Sequence, residues 1–310
     1  MLDIYYKCIM NTSLDFTDIE TWQQETSFGH NIHGLHRKVA NPEQRVHLIH
    51  GTGFSAGTLI PLVHLMPENW DCYISNIPGH GGSTWFDCRM PDWLALADAL
   101  AESIRIEMDV ANKGPVIGIG HSFGGVLTLI AASRNPDLFS RIVLLDPIML
   151  KRSMSIMQYF IRASHLWKYT STFKAVNNRK YKWQNIGEMK LDLTNKTLYR
   201  NFDSQVMEHF LHSASYINDQ GERELSCSPR WEASIFGSFP KSLWKSVKKL
   251  SIKTDIMIAE KSFFFVRQGI EKASKKNKSI QLHEFGRSHC FPMEEPAETV
   301  EYILQLLSKA

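Results

Sequence analysis

The sequence predicts an α/β fold built around a mostly parallel sheet. Three observations predict it. Six short apolar runs, at residues 46–50, 72–77, 116–119, 142–145, 256–259 and 280–285, alternate with helix-like stretches. One of these runs leads straight into Gly120-His121-Ser122-Phe123-Gly124 and on into a helix-like stretch, Gly125 to Ser133. Finally, about a hundred residues after Pro147 carry no strong strand signal, which is the length of an insertion and not of a loop.

Taken in order, residues 1–45 are the least regular. They are expected to add one or two edge strands, such as 33–39. His30, His33 and His36 recur there every third residue, and a metal site is the sharp reading of such a run. No carboxylate or cysteine stands near them in the sequence, so scattered strand and surface histidines fit better, and no metal is expected. The next strand, Val46-His47-Leu48-Ile49, runs into His50-Gly51-Thr52-Gly53-Phe54. A backbone N–H just past such a strand can stabilise a developing negative charge. The run 72–77 leads into Ile77-Pro78-Gly79-His80-Gly81-Gly82-Ser83. After Pro91-Asp92, Trp93, Leu96, Leu100, Ile104 and Met108 fall on one face at spacings of three and four, predicting a helix.

The Gly-x-Ser-x-Gly segment has the form of a nucleophile elbow. The strand-to-helix turn is tight enough to strain the serine backbone, and it lifts the hydroxyl above the sheet edge beside a helix N-terminus. Glycines two residues to either side keep side chains out of the neighbouring strand and helix. The last strand leads into Gly286-Arg287-Ser288-His289-Cys290-Phe291-Pro292. A histidine in a loop after the final strand can reach the serine as general base. The closing helix has Pro296 in its first turn and an apolar stripe of Val300, Ile303, Leu304 and Leu307.

The chain resembles the α/β-hydrolase superfamily over about residues 30–310. The resemblance is carried by the His50-Gly51 turn, the segment Ile77 to Ser83, the Ser122 elbow, Leu144-Leu145-Asp146-Pro147, and the Ser288-His289 loop with Glu295-Pro296 after it. It implies an eight-stranded, mostly parallel sheet flanked by helices, with a Ser–His–acid triad at the carboxyl edge of the strands. Ser122 is the implied nucleophile and His289 the base. The backbone N–H groups of Thr52 and Phe123 are the expected oxyanion donors, with Gly53 in reserve. Cys290 beside His289 raises a thiol nucleophile, but Ser122 holds the elbow.

The acid is where the chain departs from the family pattern. The family places it just after the seventh strand, in a segment resembling Gly-x-x-Asp. Here the residues read Ala259-Glu260-Lys261-Ser262-Phe263, with serine where aspartate is expected. Two replacements are available. Asp146 ends the sixth strand, where some lipases of this superfamily carry their acid. Glu260 lies close to the usual position and has an extra methylene for reach. Asp146 is preferred, and a purely local backbone role for it is the alternative.

Residues 148–250 resemble a helical cap inserted after the sixth strand, so the expected division is a core of 1–147 and 251–310 with this insertion. Leu198, Phe202, Val206 and Phe210 repeat every four residues and predict a helix. The insertion is rich in aromatics: Tyr159, Phe160, Trp167, Tyr169, Phe173, Trp183, Trp231, Phe236, Phe239 and Trp244. Most are expected to pack the cap and a few to line an apolar pocket over Ser122. Residues 151–250 hold 17 Lys+Arg against 8 Asp+Glu, a net +9 within a chain of net +3. Such a cap is an ordinary solvated face, or makes weak contact with anionic substrates or surfaces.

Composition narrows the classes further. With 310 residues, 43% hydrophobic and 22% charged, the chain is long enough for one large domain plus an insertion. No apolar run approaches the roughly 20 residues that span a bilayer, so no stable membrane insertion is expected. The first residues, Met1 to Lys7, do not read as a signal peptide, and five scattered cysteines form neither a metal spacing nor a disulfide framework. A cytoplasmic protein is expected. There is no phosphate-binding Gly-x-x-x-x-Gly-Lys and no aromatic-basic nucleic-acid motif, so neither a nucleotide cofactor nor a nucleic-acid partner is expected. The resemblance then implies a serine hydrolase acting on small-molecule acyl substrates, carboxylic esters first. Carbon–carbon bond hydrolysis, thioester hydrolysis and acyl transfer use the same triad and stay open. So does a ligand-binding protein that has lost catalysis.

Overall fold

Eight strands form one sheet: β1 (Glu20–Glu25), β2 (Asn31–Arg37), β3 (Gln44–Ile49), β4 (Trp70–Ser75), β5 (Val116–His121), β6 (Phe139–Leu145), and, after an insertion, β10 (Thr254–Ile258) and β11 (Ile280–Glu284). Their order across the sheet is β1-β2-β4-β3-β5-β6-β10-β11. The pairings from β4 through β11 are parallel, while β2 runs antiparallel to both of its neighbours. The structure, a computed structural model, describes residues 14, 16, 18–27, 29, 31–84, 92–151, 169–238 and 242–309.

The central strands are buried on both faces, as continuous apolar runs should be in a parallel sheet. Their alternation is visible in β6. Ile142 and Leu144 pack on one side with Leu96, Leu100 and Ile104 of the Trp93–Glu107 helix and with Val126, Leu127 and Ile130 of the Ser122–Arg134 helix. Val143 and Leu145 pack on the other with Leu62 and Val63 and with Val300, Ile303 and Leu306 of the Pro296–Ser308 helix. Asp92 caps the first of these helices by accepting the Leu94 N–H at 3.3 Å.

The strand expected at 33–39 lies at Asn31–Arg37, two residues earlier, and β1, which precedes it, forms the edge of the sheet. His33 is buried there, and His36 pairs with Asp71 at 2.6 Å, a carboxylate distant in sequence. His30 lies outside the described residues.

Between β6 and β10 the chain leaves the sheet. It forms the helices Ser171–Asn177, Ile186–Thr194, Ser204–Ser213, Pro229–Phe236 and Leu243–Lys249. It also forms a feature that the sequence did not announce, an antiparallel three-stranded sheet of β7 (Lys182–Trp183), β8 (Ser215–Ile217) and β9 (Arg223–Leu225) in the order β7-β9-β8. Strands of two or three residues are too short to show a period of two. The repeat Leu198, Phe202, Val206, Phe210 is helical only in its second half. Asp203 accepts the N–H groups of Gln205 and Val206 and starts the helix at Ser204. Trp183, Met189, Tyr199, Val206 and Phe210 build a core of the insertion, which reaches Phe54 and Met293 of the main domain. Leu243, Val247 and Leu250 pack in the core beneath the sheet. Among the described residues no helix is long and apolar enough to cross a membrane.

Candidate active site

β3 and β5 lie side by side although β4 falls between them in the chain. The chain therefore departs in opposite directions from their carboxyl ends, the kind of switch point at which open α/β sheets bind their ligands. The loop Gly51–Phe54 leaves β3 on one wall and Ser122 leaves β5 on the other. A Cβ on Gly51 would sit 3.1 Å from the Cβ of Ser122.

Ser122 has φ +54, a left-handed conformation that non-glycine residues seldom adopt. Its neighbours show why the turn needs glycine. A Cβ at Gly124 would lie 2.3 Å from the His50 carbonyl oxygen, and one at Gly120 would lie 2.7 Å from the Gly124 carbonyl. Phe123 follows in the first turn of the Ser122–Arg134 helix, so its N–H has no partner within the helix.

Asp146 stands one residue beyond β6, the other neighbour of β5, whose register pairs Leu145 with His121. It too is left-handed, at φ +43, and its side chain is fully buried. Its N–H donates to the Met257 carbonyl at 2.8 Å. One carboxylate oxygen accepts the Ala259 N–H at 3.3 Å, and the other accepts the Nδ1–H of His289 at 2.6 Å. Two N–H donors replace part of the hydration that a carboxylate loses on burial. The far nitrogen of the same ring, Nε2 of His289, accepts the Ser122 Oγ–H at 2.9 Å. Ser122, His289 and Asp146 thus form one hydrogen-bonded line, although 143 residues separate the last two in the chain.

Glu260 is not part of that line. Its side chain is exposed, while its backbone N–H donates to the Gly286 carbonyl at 2.9 Å and braces the loop that carries His289. The segment in which the family places its acid contributes a backbone donor to Asp146 instead of a carboxylate. The Cys290 thiol is buried, and burial pushes it up to about 12, so it stays protonated and non-nucleophilic.

Of the proposed oxyanion donors, the reserve is committed elsewhere: the Gly53 N–H donates to Nε2 of His80 at 3.0 Å. Among the described residues no hydrogen bond takes the N–H of Thr52 or Phe123. The His50-Gly51 turn is tied in place by His50, whose Nδ1–H donates to the Gly51 carbonyl at 2.8 Å while Nε2 accepts the Ile77 N–H at 3.1 Å.

Three groups at the site escaped sequence reasoning. His121, the variable residue of the elbow, donates from Nε2 to the His289 carbonyl at 2.9 Å and so pins the histidine loop. Burial lowers its pKa to about 3, which keeps the ring neutral. The other two are Arg179 and Glu232, from different elements of the insertion. They form a largely buried ion pair at 2.9 Å against the loop after β3, and a Cβ on Gly53 would lie 2.7 Å from the Glu232 carboxylate. Burial raises the pKa of Glu232, and Arg179 opposes that shift. Beside Glu232, Trp231 donates its indole N–H to the Pro78 carbonyl at 3.1 Å. Only the spatial meeting of distant segments makes these groups visible.

The aromatics divide as follows. Phe54 packs near His121, Phe202 and Phe210, at ring separations of 6.1, 5.9 and 5.8 Å. Phe263 lies 5.5 Å from the His289 ring. Trp183 is buried in the core of the insertion, and Trp244 donates to the Leu150 carbonyl. Tyr169 and Phe236 are exposed. Tyr159, Phe160, Trp167 and Phe239 lie outside the described residues.

A family model described as "Alpha/beta hydrolase family" matches residues 48–302. A lipase, LipV, of Mycobacterium tuberculosis is 34% identical over 103 residues, which cover 33% of this chain and 37% of that protein. A pimeloyl-[acyl-carrier protein] methyl ester esterase of Neisseria meningitidis is 32% identical over 101 residues, covering 33% and 35%. The match thus spans little more than a third of either relative. Among solved structures, E-2-(acetamidomethylene)succinate hydrolase superposes with a TM-score of 0.72 over 93% of this chain and 99% of that one. Its 18% identity is a likeness of fold.

Proposed function

Because the chain belongs to the alpha/beta hydrolase family, we propose that it is a serine hydrolase that cleaves carboxylic esters with small or medium apolar acyl groups. The observation that carries this reading is the line from Ser122 Oγ through the His289 ring to the Asp146 carboxylate, at 2.9 and 2.6 Å.

In this reading Ser122 Oγ attacks the acyl carbonyl as its proton passes to Nε2 of His289. Asp146 holds the tautomer that presents Nε2 to the serine, and it stabilises the imidazolium that forms. The N–H groups of Thr52 and Phe123 receive the oxyanion. The imidazolium returns its proton to the departing alkoxide, leaving an acyl-serine. A water, deprotonated by the same nitrogen, then releases the acid.

The aromatic surroundings of Phe54, Phe202, Phe210 and Phe263 favour apolar acyl groups over sugars or peptides. The names of the two sequence relatives, a lipase and a methyl ester esterase, favour ester cleavage among reactions open to such a triad. We read the segment between β6 and β10 as a cap over Ser122. Buried free thiols at Cys72, Cys227 and Cys290 suit a reducing compartment, and we place the protein in the cytoplasm.

The test is hydrolysis of p-nitrophenyl esters from acetate to palmitate by wild type and Ser122→Ala, with a fluorophosphonate probe alongside. Serine-dependent turnover with a chain-length optimum, and labelling at Ser122, are expected. Labelling without ester turnover moves the substrate to a thioester or a carbon–carbon bond. No labelling at all makes the protein a non-catalytic ligand binder.

A further inference from the structure

Beside the catalytic histidine the chain carries three consecutive phenylalanines. Phe263, Phe264 and Phe265 are 52%, 74% and 37% exposed. Phe263 and Phe265 stack on each other at 5.6 Å, and Phe263 lies 5.5 Å from the His289 ring. The His289 side chain itself keeps 18% of its exposure, and Phe263 is the ring of this run that stands beside it. Single apolar side chains on a surface are ordinary, whereas three in a row beside a candidate site are not.

The charges around the rings point to one kind of partner. The Lys261 N–H donates to the Arg287 carbonyl at 2.8 Å, which joins the two segments two residues before the first phenylalanine. Both side chains are exposed, and among the described residues neither has an ion-pair partner. Arg267, further along the Phe264–Lys276 helix, is held by Glu284 at 2.7 Å and adds no free charge. Glu260 is the exposed acid adjoining them in the chain, so these three side chains sum to one net positive charge. Aromatic rings standing above free cations are the composition of a surface that sits in a lipid interface. The rings begin a helix instead of lining a groove, and a fluid acyl layer accommodates such a protruding shape.

We propose that the Phe263–Phe264–Phe265 rim, with Lys261 and Arg287, docks the protein on an anionic phospholipid surface. The phenylalanines enter the acyl boundary while the two cations meet headgroup phosphates. Docked this way, the exposed edge of His289 faces the interface, and an apolar substrate dissolved there reaches Ser122 without crossing water. Docking needs no turnover, so it stands or falls separately from ester hydrolysis.

The experiment is cosedimentation of Ser122→Ala protein with vesicles of phosphatidylcholine alone and of phosphatidylcholine mixed with phosphatidylglycerol. Stronger partition onto the mixed vesicles is expected. Adding Phe264→Ser should weaken binding at least about fivefold on both compositions. Adding Lys261→Gln with Arg287→Gln should remove the preference for phosphatidylglycerol. In the Ser122 background, these same changes should leave kcat/KM on a soluble short-chain ester and the circular-dichroism melt unchanged, which shows that the fold is intact. Failure of the parent protein to bind either vesicle, or binding by the Phe264→Ser protein equal to the parent's, overturns the proposal. So does light scattering that finds a dimer which Phe264→Ser converts to monomer, since the rim would then join two copies of the chain.

Discussion

Gly53 gives its backbone N–H to Nε2 of His80 at 3.0 Å, while the Glu232 carboxylate lies against its other side. The loop that carries Thr52 is therefore held between the main domain and the insertion. Gly53 has φ +81, and an added Cβ would meet Glu232 at 2.7 Å. Gly53→Ala is expected to shift this loop and lower kcat by about 10²-fold, the effect of losing one oxyanion donor, with a smaller change in KM. Steady-state kinetics check it, and wild-type kcat in the variant would remove Thr52 from the oxyanion site.

The acid is tested by a pair of isosteric changes. Asp146→Asn keeps the shape but presents the wrong group to His289 Nδ1, and kcat should fall roughly 10⁴-fold. Glu260→Gln should stay within about twofold of wild type, because its side chain is exposed and the His289 Nδ1–H is already taken by Asp146. The reverse ranking would return the acid to the loop after β10.

Three buried histidines make stability depend on pH. Burial lowers His47 and His121 to about 3 and His80 to about 4, from an ordinary 6.5. Below 6.5 the unfolded chain binds protons at these rings that the folded chain refuses. Their contribution to stability is therefore complete above pH 6.5 and drains as the pH falls toward 4 and then 3. Each ring contributes up to ~1.4 kcal/mol per pH unit in that window. Urea midpoints measured from about pH 8 down to about pH 5 should decline below neutrality. A flat profile would mean that these rings are not held neutral.

The Arg179–Glu232 pair should behave asymmetrically. Arg179→Met alone leaves a carboxylate buried without its partner and should cost about 3 kcal/mol in chemical unfolding. Arg179→Met with Glu232→Leu removes both charges and should recover most of that loss. Additive losses would show that the pair acts through packing and not charge.

Cys290 adjoins His289 but should be inert. With its thiol held up at about 12, iodoacetamide at mildly alkaline pH should leave Cys290 unmodified in the native protein. Peptide mass spectrometry reads the outcome, and an alkylated Cys290 with lost activity would reopen the thiol nucleophile.

Signals confined to a few neighbouring residues were legible in the sequence. The elbow is legible because strand, turn and helix are contiguous and the glycines are demanded by backbone contacts only two residues away. Five inner strands are legible because burial on both faces makes them largely apolar runs, whereas β11, at the sheet edge, shows as a short β-rich run before a turn. Asp146 was legible as a candidate but not as a partner, since its partnership depends on a loop 143 residues distant. His121, His80 and the Arg179–Glu232 pair carry no local signature. Their roles arise where separate segments meet, and a buried neutral histidine looks in sequence like any other. The small sheet of the insertion was missed because its strands are shorter than one period of the pattern that would reveal them.

The place of Asp146, just past the strand beside the one that leads to Ser122, has a consequence for how this protein can vary. Where the acid follows β10, that loop must preserve a carboxylate, and its other residues are constrained by it. Here the loop contributes peptide N–H groups alone: that of Ala259 to Asp146, and those of Glu260 and Lys261 to carbonyls of the histidine loop. From Glu260 onward its side chains are free of the chemistry and can answer to access alone. A graft of residues 260–265 from a relative should therefore exchange what reaches the serine while leaving the rate-determining machinery in place.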